Sequence, residues 1–470
     1  MNFDQITKVV SDFVWGIPLI MLILAAGLFL TIRTHFVQIK HFGKSIKIMF
    51  TGNNSEGKGE ISSFSALCVA LSATIGTGNI VGVATAIAAG GPGALFWMLV
   101  AAFFGMATKY AEGFLAIKYR HFDEKGNVSG GPFYYIEKGM GKKWTWLAKL
   151  FAIFGALAGL MGIGTITQVN SISSAIGSFF DPNNDNVAFT IGKNSYSWAV
   201  VIGGALVALA TALVVIGGIK RISYVSTIVV PFMAILYAAA VIIILCCNIT
   251  RVPAALLEIF KGAFNPASVT GGVVGSMFIA IQEGVAKGVF SNEAGLGSAP
   301  IATASAKTDN AVHEGLVTMT GTFIDTIIIC TLTGLAVILG GSWNKGLEGV
   351  AITMDAFKSG LSLPSQVSSF ILMICLVFFA FTTILGWDFY GEKCLDYLSN
   401  GNKYVKFTYR ILYILAVLVG PYLTVAAVWN IANIFNGLMA LPNIIALLAL
   451  SSVIAKETNA YVEVKKKNLK

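Results

Sequence analysis

Apolar residues occur along this chain in long runs that are separated by short polar segments. Because about 20 consecutive apolar residues are enough for a helix to cross a bilayer, each run is a candidate membrane-spanning helix. The pattern predicts eleven such helices, over residues 14–32, 62–89, 93–117, 145–175, 196–217, 224–247, 271–302, 312–340, 366–390, 407–428 and 432–455. The chain is therefore predicted to be an all-α polytopic membrane protein.

The composition agrees with this class. Of the 470 residues, 56% are hydrophobic and 12% are charged, and the mean hydropathy is +0.77, whereas about 25% of a soluble domain is charged. The first apolar run lacks the basic segment that precedes a cleaved signal peptide, since Asp4 and Asp12 stand before it and Arg33 follows it at once. We expect a retained anchor and a single transmembrane domain over residues 1–470.

Lysine and arginine are unevenly distributed between the loops. Most of them lie at residues 33–58, 118–143, 220–221, 307, 393–410 and 456–470. Loops rich in these residues stay on the cytoplasmic side of a membrane. The asymmetry predicts a multi-pass protein of the plasma membrane with an extracellular N-terminus, a cytoplasmic C-terminus and a basic cytoplasmic tail over residues 456–470.

Other functional classes find little support in the sequence. The net charge of +9 does not indicate a nucleic-acid-binding protein, because no basic stretch is interleaved with aromatic residues. The sequence has no GxSxG, HExxH or GxxxxGK[ST] motif and no selectivity filter, so neither an enzyme nor a channel is expected. The six cysteines have no metal-type spacing and predict apolar packing, with no disulfide framework. No obligate protein partner is evident.

Two of the predicted helices are interrupted by glycine and polar residues. ATIGTGNIVG occupies residues 73–82, and FSNEAGLGSAP occupies residues 290–300. The two stretches open two sets of five predicted helices, over 62–247 and 271–455, and an odd number of helices inverts the second set in the membrane. Interrupted helices at matching positions of inverted repeats indicate a transporter binding site. The helix over 14–32 stands outside both repeats.

A break in a membrane helix leaves backbone N–H and C=O groups without partners, which is unfavourable unless something polar satisfies them. Free amides suit a carboxylate, and free carbonyls suit an ammonium group or a sodium ion. An amino acid together with Na⁺ satisfies both, and glycine permits close approach of the ligand to the backbone. The alternative interpretation is that Gly78 and Gly82 form a small-xxx-small motif for helix packing.

Four stretches make the chain similar to a known family. GTGNIVG (76–82), GGPGALFWM (90–98), GGPFYYIEKGM (130–140) and FSNEAGLGSAPIA (290–302) resemble motifs of the sodium:alanine/glycine symporter family, the alanine or glycine:cation symporters. The resemblance runs over nearly the whole chain. It implies a leucine-transporter-like fold of the amino acid–polyamine–organocation superfamily, with two inverted five-helix repeats and one extra N-terminal helix. It also implies Na⁺-coupled symport of alanine or glycine by alternating access.

The resemblance further implies a substrate site at the two breaks. The backbone amides near Thr77 and Gly78 are expected to bind the substrate carboxylate, while the carbonyl of Thr74 and the backbone of Phe290 and Ser291 face its amino group. Phe290 is expected to cover the pocket from the extracellular side. The full expected substrate-binding set is Thr74, Gly76, Thr77, Gly78, Asn79, Gln168, Phe290, Ser291, Asn292 and Trp387.

For sodium, the resemblance implies five oxygen ligands. They are the carbonyls of Ser72, Ile75 and Phe379 and the side chains of Thr382 and Thr383. Since none of these oxygens belongs to a carboxylate, the set suits a monovalent cation better than Ca²⁺. In the alternative interpretation, each threonine hydrogen-bonds to the backbone of its own helix.

Trp387 and Gln168 both lie in apolar predicted helices, and each has two interpretations. Trp387 lies one helical turn beyond Thr383 and shares its face. It either narrows the pocket towards alanine and glycine or lies at the membrane interface. Gln168 either contacts the substrate or hydrogen-bonds to a neighbouring helix.

Ionisable residues inside predicted membrane helices are candidates for function. They include Lys109, Glu112, Glu283, Lys287, Glu293, Asp325 and Asp388. Glu283 and Lys287 either pair or form an extracellular gate, and Lys109 and Glu112 are expected to pair or to extend to the interface. Glu293 lies within the second break. The number of buried carboxylates makes a proton-coupled symporter of the same fold the alternative to a sodium-coupled one.

Overall fold

The computed structural model describes residues 3–51, 57–124, 126–191, 194–264, 276–423 and 425–467. In this part of the chain the structure is helical apart from two short antiparallel hairpins. The helices are α1 Phe3–Val14, α2 Ile17–Arg33, α3 Val37–Lys40, α4 Phe42–Thr51, α5 Ser63–Thr74, α6 Val83–Gly90, α7 Gly93–Lys118, α8 Pro132–Tyr134, α9 Thr145–Met161, α10 Ile166–Phe180, α11 Trp198–Val215, α12 Gly218–Cys247, α13 Val252–Phe264, α14 Ser276–Asn292, α15 Ala299–Thr303, α16 Ala311–Thr322, α17 Thr331–Gly340, α18 Val350–Gly360, α19 Ser365–Leu398, α20 Lys403–Val419, α21 Val425–Ala449 and α22 Ser451–Lys467.

Shorter elements connect these helices. The strands are β1 His121–Phe122, β2 Val128–Ser129, β3 Val187–Ile191 and β4 Asn194–Ser197. The first hairpin pairs His121 with Ser129, and the second pairs Val187 with Ser197. Wider π-helical turns occur at Gly78–Gly82, Tyr135–Met140 and Phe323–Cys330, and 3₁₀ turns at Lys142–Trp144, Ile249–Arg251, Ser342–Asn344 and Gly420–Tyr422.

The prediction of a polytopic helical protein is confirmed. In the described residues, nine helices are long and apolar enough to cross a membrane, and a bent pair, Ser63–Thr74 with Gly78–Gly90, makes ten. The predicted count of eleven is not confirmed. The predicted span 271–302 begins outside the described residues, and its described part consists of two separate helices, α14 and α15.

The two ends of the chain differ from the prediction. The first predicted span, 14–32, is preceded by α1, and residues of α1 and α2 form one candidate span from Gln5 to Arg33. The last predicted span, 432–455, stops being one helix at Ala449, and the expected basic tail is helical through Lys467 in α22. Hydropathy did not indicate α22 because most residues from 456 to 467 are polar or charged. Its buried face combines Ile454 and Ala455 with Thr458, whose hydroxyl lies 2.7 Å from the Tyr110 hydroxyl.

Both helix breaks predicted from sequence exist, and they face each other. The axis bends by 53° between α5 and the helix that begins at Gly78. The second break, residues 293–298, separates α14 from α15. α14 packs against α6 and α7, so the two breaks share the interior of the bundle. A third break, at residues 162–165, separates α9 from α10 and was not predicted.

One side of the bundle is closed by a network of backbone hydrogen bonds. We call it the lysine-rich side; it holds the loops at residues 119–124, 126–131 and 304–310, and Lys393, Lys403 and Lys406 lie beside the first of these loops. The Ile61 and Glu60 amides donate to Ser305 O, and the Lys307 amide donates to Ile61 O at 2.7 Å. Together these bonds fasten the start of α5 to the end of α15.

Arg120 strengthens this closure. Its guanidinium donates to the carbonyls of Ala304, Ala306 and Thr308 at 3.1, 2.7 and 2.6 Å and to Asp309 at 3.1 Å. Burial lowers the pKa of Arg120 and the Asp309 carboxylate opposes that shift, but a guanidinium stays charged at physiological pH. Arg120 therefore holds the loop after α15 through charge-assisted hydrogen bonds.

Candidate binding site

The first break places a short non-helical stretch of backbone inside the bundle. The Gly76 amide donates to Asn79 Oδ1 at 2.9 Å, and the Thr77 amide lies 3.3 Å from Gln168 Oε1. Gly78 starts the next helical segment, so its amide is one of those that no residue of its own helix can satisfy. Thr77 and Asn79 are fully buried. The break thus presents amides at a site that is shielded from water.

Three glycines at this break have different surroundings. A Cβ at Gly76 would overlap Thr383 Oγ1 and lie 3.3 Å from Gln168 Oε1, and a Cβ at Gly78 would lie 3.3 Å from Ser291 Cα. A Cβ at Gly82 would have nothing within 4 Å. Helix packing through Gly78 and Gly82 predicts close contact at both, so the small-xxx-small interpretation does not explain Gly82. Of these three glycines, only Gly76 and Gly78, at the break itself, are closely approached by neighbouring residues.

Gln168 hydrogen-bonds to the backbone at two of the breaks, and its contact with the substrate stays a prediction. Its Nε2 donates to Ile163 O, in the third break, at 2.9 Å, while its Oε1 faces the Thr77 amide. The side chain therefore connects the first break to the third. It lies beside the backbone amides that are expected to bind the substrate carboxylate.

The second break is strained and is satisfied largely by protein groups. Glu293, Gly295 and Gly297 have φ angles of 55°, 92° and 78°, in the left-handed region that non-glycine residues rarely adopt. Glu112 Oε1 accepts hydrogen bonds from the amides of Gly295 and Gly297 at 3.0 and 3.1 Å and from Asn443 Nδ2 at 2.7 Å. Glu112 thus has a structural role that the sequence did not indicate.

Asp325 connects the two broken helices. It lies in the π-helical turn between α16 and α17 and is fully buried. Its carboxylate accepts from Asn79 Nδ2 at 2.7 Å, from Ser291 Oγ at 2.9 Å and from Thr326 Oγ1 at 2.6 Å. Asn292 Nδ2 reaches the same Thr326 hydroxyl at 3.0 Å. The available signal in the sequence was an aspartate within an apolar run, but its partners could not be identified there.

Trp387 is fully buried, so it does not lie at the membrane interface. Its indole Nε1 donates to Glu293 Oε1 at 2.9 Å, and Ser298 Oγ donates to the other oxygen of that carboxylate. A Cβ at Gly164, in the third break, would contact Trp387 Cβ. The indole therefore lies between the second and third breaks.

The expected sodium ligands are brought together in part. Thr383 Oγ1 donates to Phe379 O at 3.0 Å and lies 3.5 Å from Ile75 O, the carbonyl at the first break. Thr382 Oγ1 donates to Phe379 O at 3.0 Å and lies 3.5 Å from Met233 Sδ. Both threonines therefore also make the intrahelical bonds of the alternative interpretation. The Ser72 hydroxyl donates to Val69 O in its own helix.

Aromatic rings cover the site on the side opposite the lysine-rich side. The rings of Phe290 and Trp429 have centroids 5.5 Å apart, and Lys287 Nζ lies 5.9 Å from each. A cavity of about 580 Å³ reaches this cover, and its lining includes Val81, Ser171 and Trp429. Phe290 lies next to Gly78 and Trp429 lines the cavity, so the two rings lie between the first break and this cavity. A second cavity, of about 820 Å³, lies on the lysine-rich side and is lined by His121, Val128 and Lys393.

The structure shows the pairing and burial of the remaining charged candidates. Among the described residues, Glu283 and Lys287 form no ion pair within 4 Å. Lys109 and Glu112 are 3.8 Å apart and both are buried, so neither extends to the interface. Asp388 is 1% exposed, and its Oδ1 has no hydrogen-bond partner in the described part of the chain.

The fold is similar to that of a solved transporter. The structure of MhsT in complex with L-phenylalanine matches with a TM-score of 0.57 over 86% of this chain and 99% of that one, at 13% sequence identity. At this identity the likeness shows the fold alone. It confirms the predicted leucine-transporter-like fold.

Sequence comparisons give the family. An uncharacterized transporter of Haemophilus influenzae is 48% identical over 465 residues, covering 98% of this chain and 97% of that protein. The sodium/alanine symporter AgcS of Methanococcus maripaludis is 45% identical over the full length of both chains. A probable sodium/glutamine symporter, GlnT of Bacillus subtilis, is 35% identical over 98% of this chain and 91% of its own.

These relatives are transporters rather than enzymes, as the sequence led us to expect. The model of the sodium:alanine symporter family matches residues 1–470, which is the whole chain. The protein with these facing helix breaks therefore belongs to the sodium:alanine symporter family.

Proposed function

We propose that this protein is a secondary active transporter that carries alanine or glycine together with Na⁺ by alternating access. The observation that carries the proposal is the first break, where buried backbone amides at Thr77 and Gly78 lie beside Gln168 and opposite the second break. Buried amides without helical partners are a site for an anionic group. A carboxylate that carries its own ammonium group needs acceptors close by, and the carbonyls of two broken helices supply them.

The substrate is held in this proposal by the residues predicted from the sequence. Its carboxylate binds the amides of Thr77 and Gly78, and its ammonium group faces the carbonyl of Thr74 and the backbone of Phe290 and Ser291. Asn79 and Asn292 support both breaks through Asp325 and Thr326. The fully buried indole of Trp387 limits the room for a side chain, which favours alanine and glycine.

The Thr383 region supports sodium as the coupled ion. Thr383 Oγ1 and Ile75 O are 3.5 Å apart, which is too long for a good hydrogen bond. Oxygens coordinate a hard cation of this size at about 2.4 Å, so two ligands at a right angle are about 3.4 Å apart. The separation therefore fits a shared Na⁺, with Phe379 O, Thr382 and Ser72 O as the further ligands.

The proposal places the protein in the plasma membrane with its N-terminus outside and its C-terminus inside. The lysine-rich side is then cytoplasmic, and the cavity of about 580 Å³ opens to the outside. The two repeats span residues 62–247 and 271–455. Substrate enters from the outside when the rings of Phe290 and Trp429 separate. It leaves to the inside when the hydrogen-bond network around Arg120 breaks.

Uptake of labelled alanine into proteoliposomes tests the proposal. An inward Na⁺ gradient is compared with an equal K⁺ gradient and with an imposed pH gradient, and glycine is the competing substrate. We expect uptake with Na⁺ alone and inhibition by glycine. Uptake driven by the pH gradient without Na⁺ would favour the proton-coupled alternative, in which buried Glu293 or Asp325 carries the proton. No uptake under any gradient would contradict the proposed substrates.

A further inference from the structure

Asn436 is a buried amide without a partner. It lies in α21, is fully buried, and neither its Oδ1 nor its Nδ2 has a hydrogen-bond partner among the described residues. Burying both ends of an amide without hydrogen bonds is unfavourable, and buried polar groups in folded proteins nearly always have partners. The group is therefore expected to have a partner that the described residues do not supply.

The position of Asn436 on its helix indicates where that partner binds. Trp429 and Asn443 are seven residues away on either side, and residues at this spacing lie on one face of a helix. The Trp429 ring packs on Phe290, and Asn443 Nδ2 donates to Gly295 O at 2.9 Å. The face that carries Asn436 therefore runs along the second break, from Phe290 in α14 before it to Gly295 within it.

The same face also lies against the third break. A Cβ at Gly162, where α9 ends, would be 3.1 Å from Ala432 Cα, one turn before Asn436. The third break supplies Ile163 O to Gln168, which in turn faces the Thr77 amide. Asn436 thus faces the region that the second and third breaks enclose, where Gln168 connects the third break to the first.

We propose that Asn436 is a further substrate-binding residue, whose amide hydrogen-bonds the zwitterionic amino acid in the closed pocket. The inference rests on the proposed function, since it adds a residue to the same site. An amide donates to a carboxylate and accepts from an ammonium group, so it complements both charged groups of an amino acid. The substrate then satisfies the buried amide, and the amide discriminates in favour of ligands that carry these groups.

The test compares wild type with Asn436→Leu, which keeps the approximate shape of the side chain and removes its polar atoms. Asn430→Leu is the control, because Asn430 lies in the same helix but donates to Thr7 Oγ1, at 3.3 Å, in α1. The measurements are the KM for alanine at saturating Na⁺, the Na⁺ concentration for half-maximal uptake, and the thermal unfolding of each protein with and without alanine.

We expect Asn436→Leu to raise the KM for alanine about tenfold, the effect of losing a hydrogen bond to a charged group. Half-maximal Na⁺ and the Tm without substrate stay near wild type or the Tm rises, while stabilisation by alanine is lost. The control variant keeps the wild-type KM. If Asn436→Leu does not fold, Asn436→Ala, which adds no atoms, is measured in its place.

An unchanged KM together with a raised Tm would overturn the inference, since Asn436 would then be only a poorly satisfied packing residue. Failure of the proposed function has a different signature, because wild type would show no Na⁺-driven uptake of alanine. Thermal stabilisation by a panel of amino acids then decides the inference. Loss of the wild-type response in Asn436→Leu supports it, whereas an equal response, or none in wild type, contradicts it.

Discussion

Several buried polar side chains at the breaks satisfy backbone or side-chain groups that the helices leave without partners. Glu112 binds the amides of Gly295 and Gly297, and Asp325 binds Asn79 and Ser291. A buried unsatisfied polar group costs about 1–3 kcal/mol, so each of these carboxylates stabilises an irregular backbone that would otherwise be unfavourable.

Trp387 gives the first prediction at the scale of single residues. Trp387→Ala removes an indole that is fully buried beside the second break. We expect leucine and phenylalanine to compete for alanine uptake at least about tenfold better, because added pocket space is worth that much in discrimination. Competition by a series from glycine to phenylalanine measures the change.

Two further variants separate size from hydrogen bonding. Trp387→Phe keeps a ring but loses the donor to Glu293, so we expect lower transport with an unchanged order of substrates. Trp146, which is 56% exposed, provides the control, and Trp146→Ala should leave substrate range unaltered. A Trp387→Ala protein that remains restricted to alanine and glycine would show that the indole does not limit the pocket.

Thr383 gives the second prediction at this scale. Thr383→Val keeps the shape of the side chain and removes the hydroxyl that lies 3.5 Å from Ile75 O. We expect half-maximal Na⁺ to rise about tenfold while the KM for alanine at saturating Na⁺ changes much less, because only the ion loses a ligand. Equal changes in both constants would argue against Thr383 as a sodium ligand.

A matched control exists for the effect of removing a threonine from a membrane helix. Thr227 Oγ1 donates to Ser223 O in its own helix α12, at 2.7 Å. Thr227→Val removes only such an intrahelical bond, so it should leave Na⁺ activation unchanged. If Thr383→Val behaves like this control, the intrahelical interpretation of the threonine is sufficient.

At the scale of helices, the breaks differ in what holds them open. The second break is held by residues with left-handed backbone conformation and by Glu112. The first break depends on Gly76 and Gly78, which let neighbouring residues approach the backbone closely. α14 packs on α6 and α7, so the two breaks lie in helices that contact each other. The glycines of the first break are therefore expected to be essential only where a neighbouring group touches them.

Gly76 and Gly82 allow a direct test of this idea. A Cβ at Gly76 would overlap Thr383 Oγ1, while one at Gly82 would have nothing within 4 Å. We expect Gly76→Ala to reduce alanine uptake by about tenfold or more, because overpacking costs about 1–3 kcal/mol. Gly82→Ala should keep uptake and raise stability by up to about 1 kcal/mol through its higher helix propensity. Uptake and Tm are measured for both, and equal losses would contradict the local interpretation.

At the scale of the whole molecule, the two sides of the site are closed by different interactions. The network around Ile61, Ser305 and Arg120 consists of hydrogen bonds, and the buried guanidinium of Arg120 donates several of them. The opposite side is covered by the rings of Phe290 and Trp429. Hydrogen bonds to a charged group are directional and strong, so the lysine-rich side is expected to be the tighter closure in this conformation.

Arg120→Gln tests the closure of the lysine-rich side. The variant loses charge-assisted bonds to three carbonyls and to Asp309, so we expect the loop after α15 to open more often. Ser305→Cys, placed at a residue that is 1% exposed, should react several times faster with an impermeant maleimide in the Arg120→Gln background. The background carries Cys246→Ser and Cys247→Ser, since those cysteines are exposed.

The control for this labelling experiment is a surface ion pair on the same side. Lys118 pairs with Glu457, and their side chains are 30% and 42% exposed. Surface pairs contribute about 0–1 kcal/mol, so Lys118→Gln should leave the labelling rate of Ser305→Cys unchanged. An unaltered rate in Arg120→Gln would show that the backbone bonds close this side without the guanidinium.

The sequence by itself determined the membrane class, the two breaks and the family to which the chain is similar. These features are local, because long apolar runs require the bilayer, and glycine with polar residues inside such a run requires a broken helix. The motifs at 76–82 and 290–302 were sufficient to name candidate ligands. Contacts between residues distant in sequence could not be obtained in this way.

Only the tertiary structure decided which groups complete each break. Glu112 meets Gly295 across 183 positions, Asn79 meets Asp325 across 246, and Gln168 meets Thr77 across 91. The third break and α22 were missed for a related reason, since α22 is too polar for a hydropathy pattern and the break lies in an otherwise apolar run. A periodic pattern reports which face of a helix is buried, whereas the partner of a buried polar group depends on how the helices pack together.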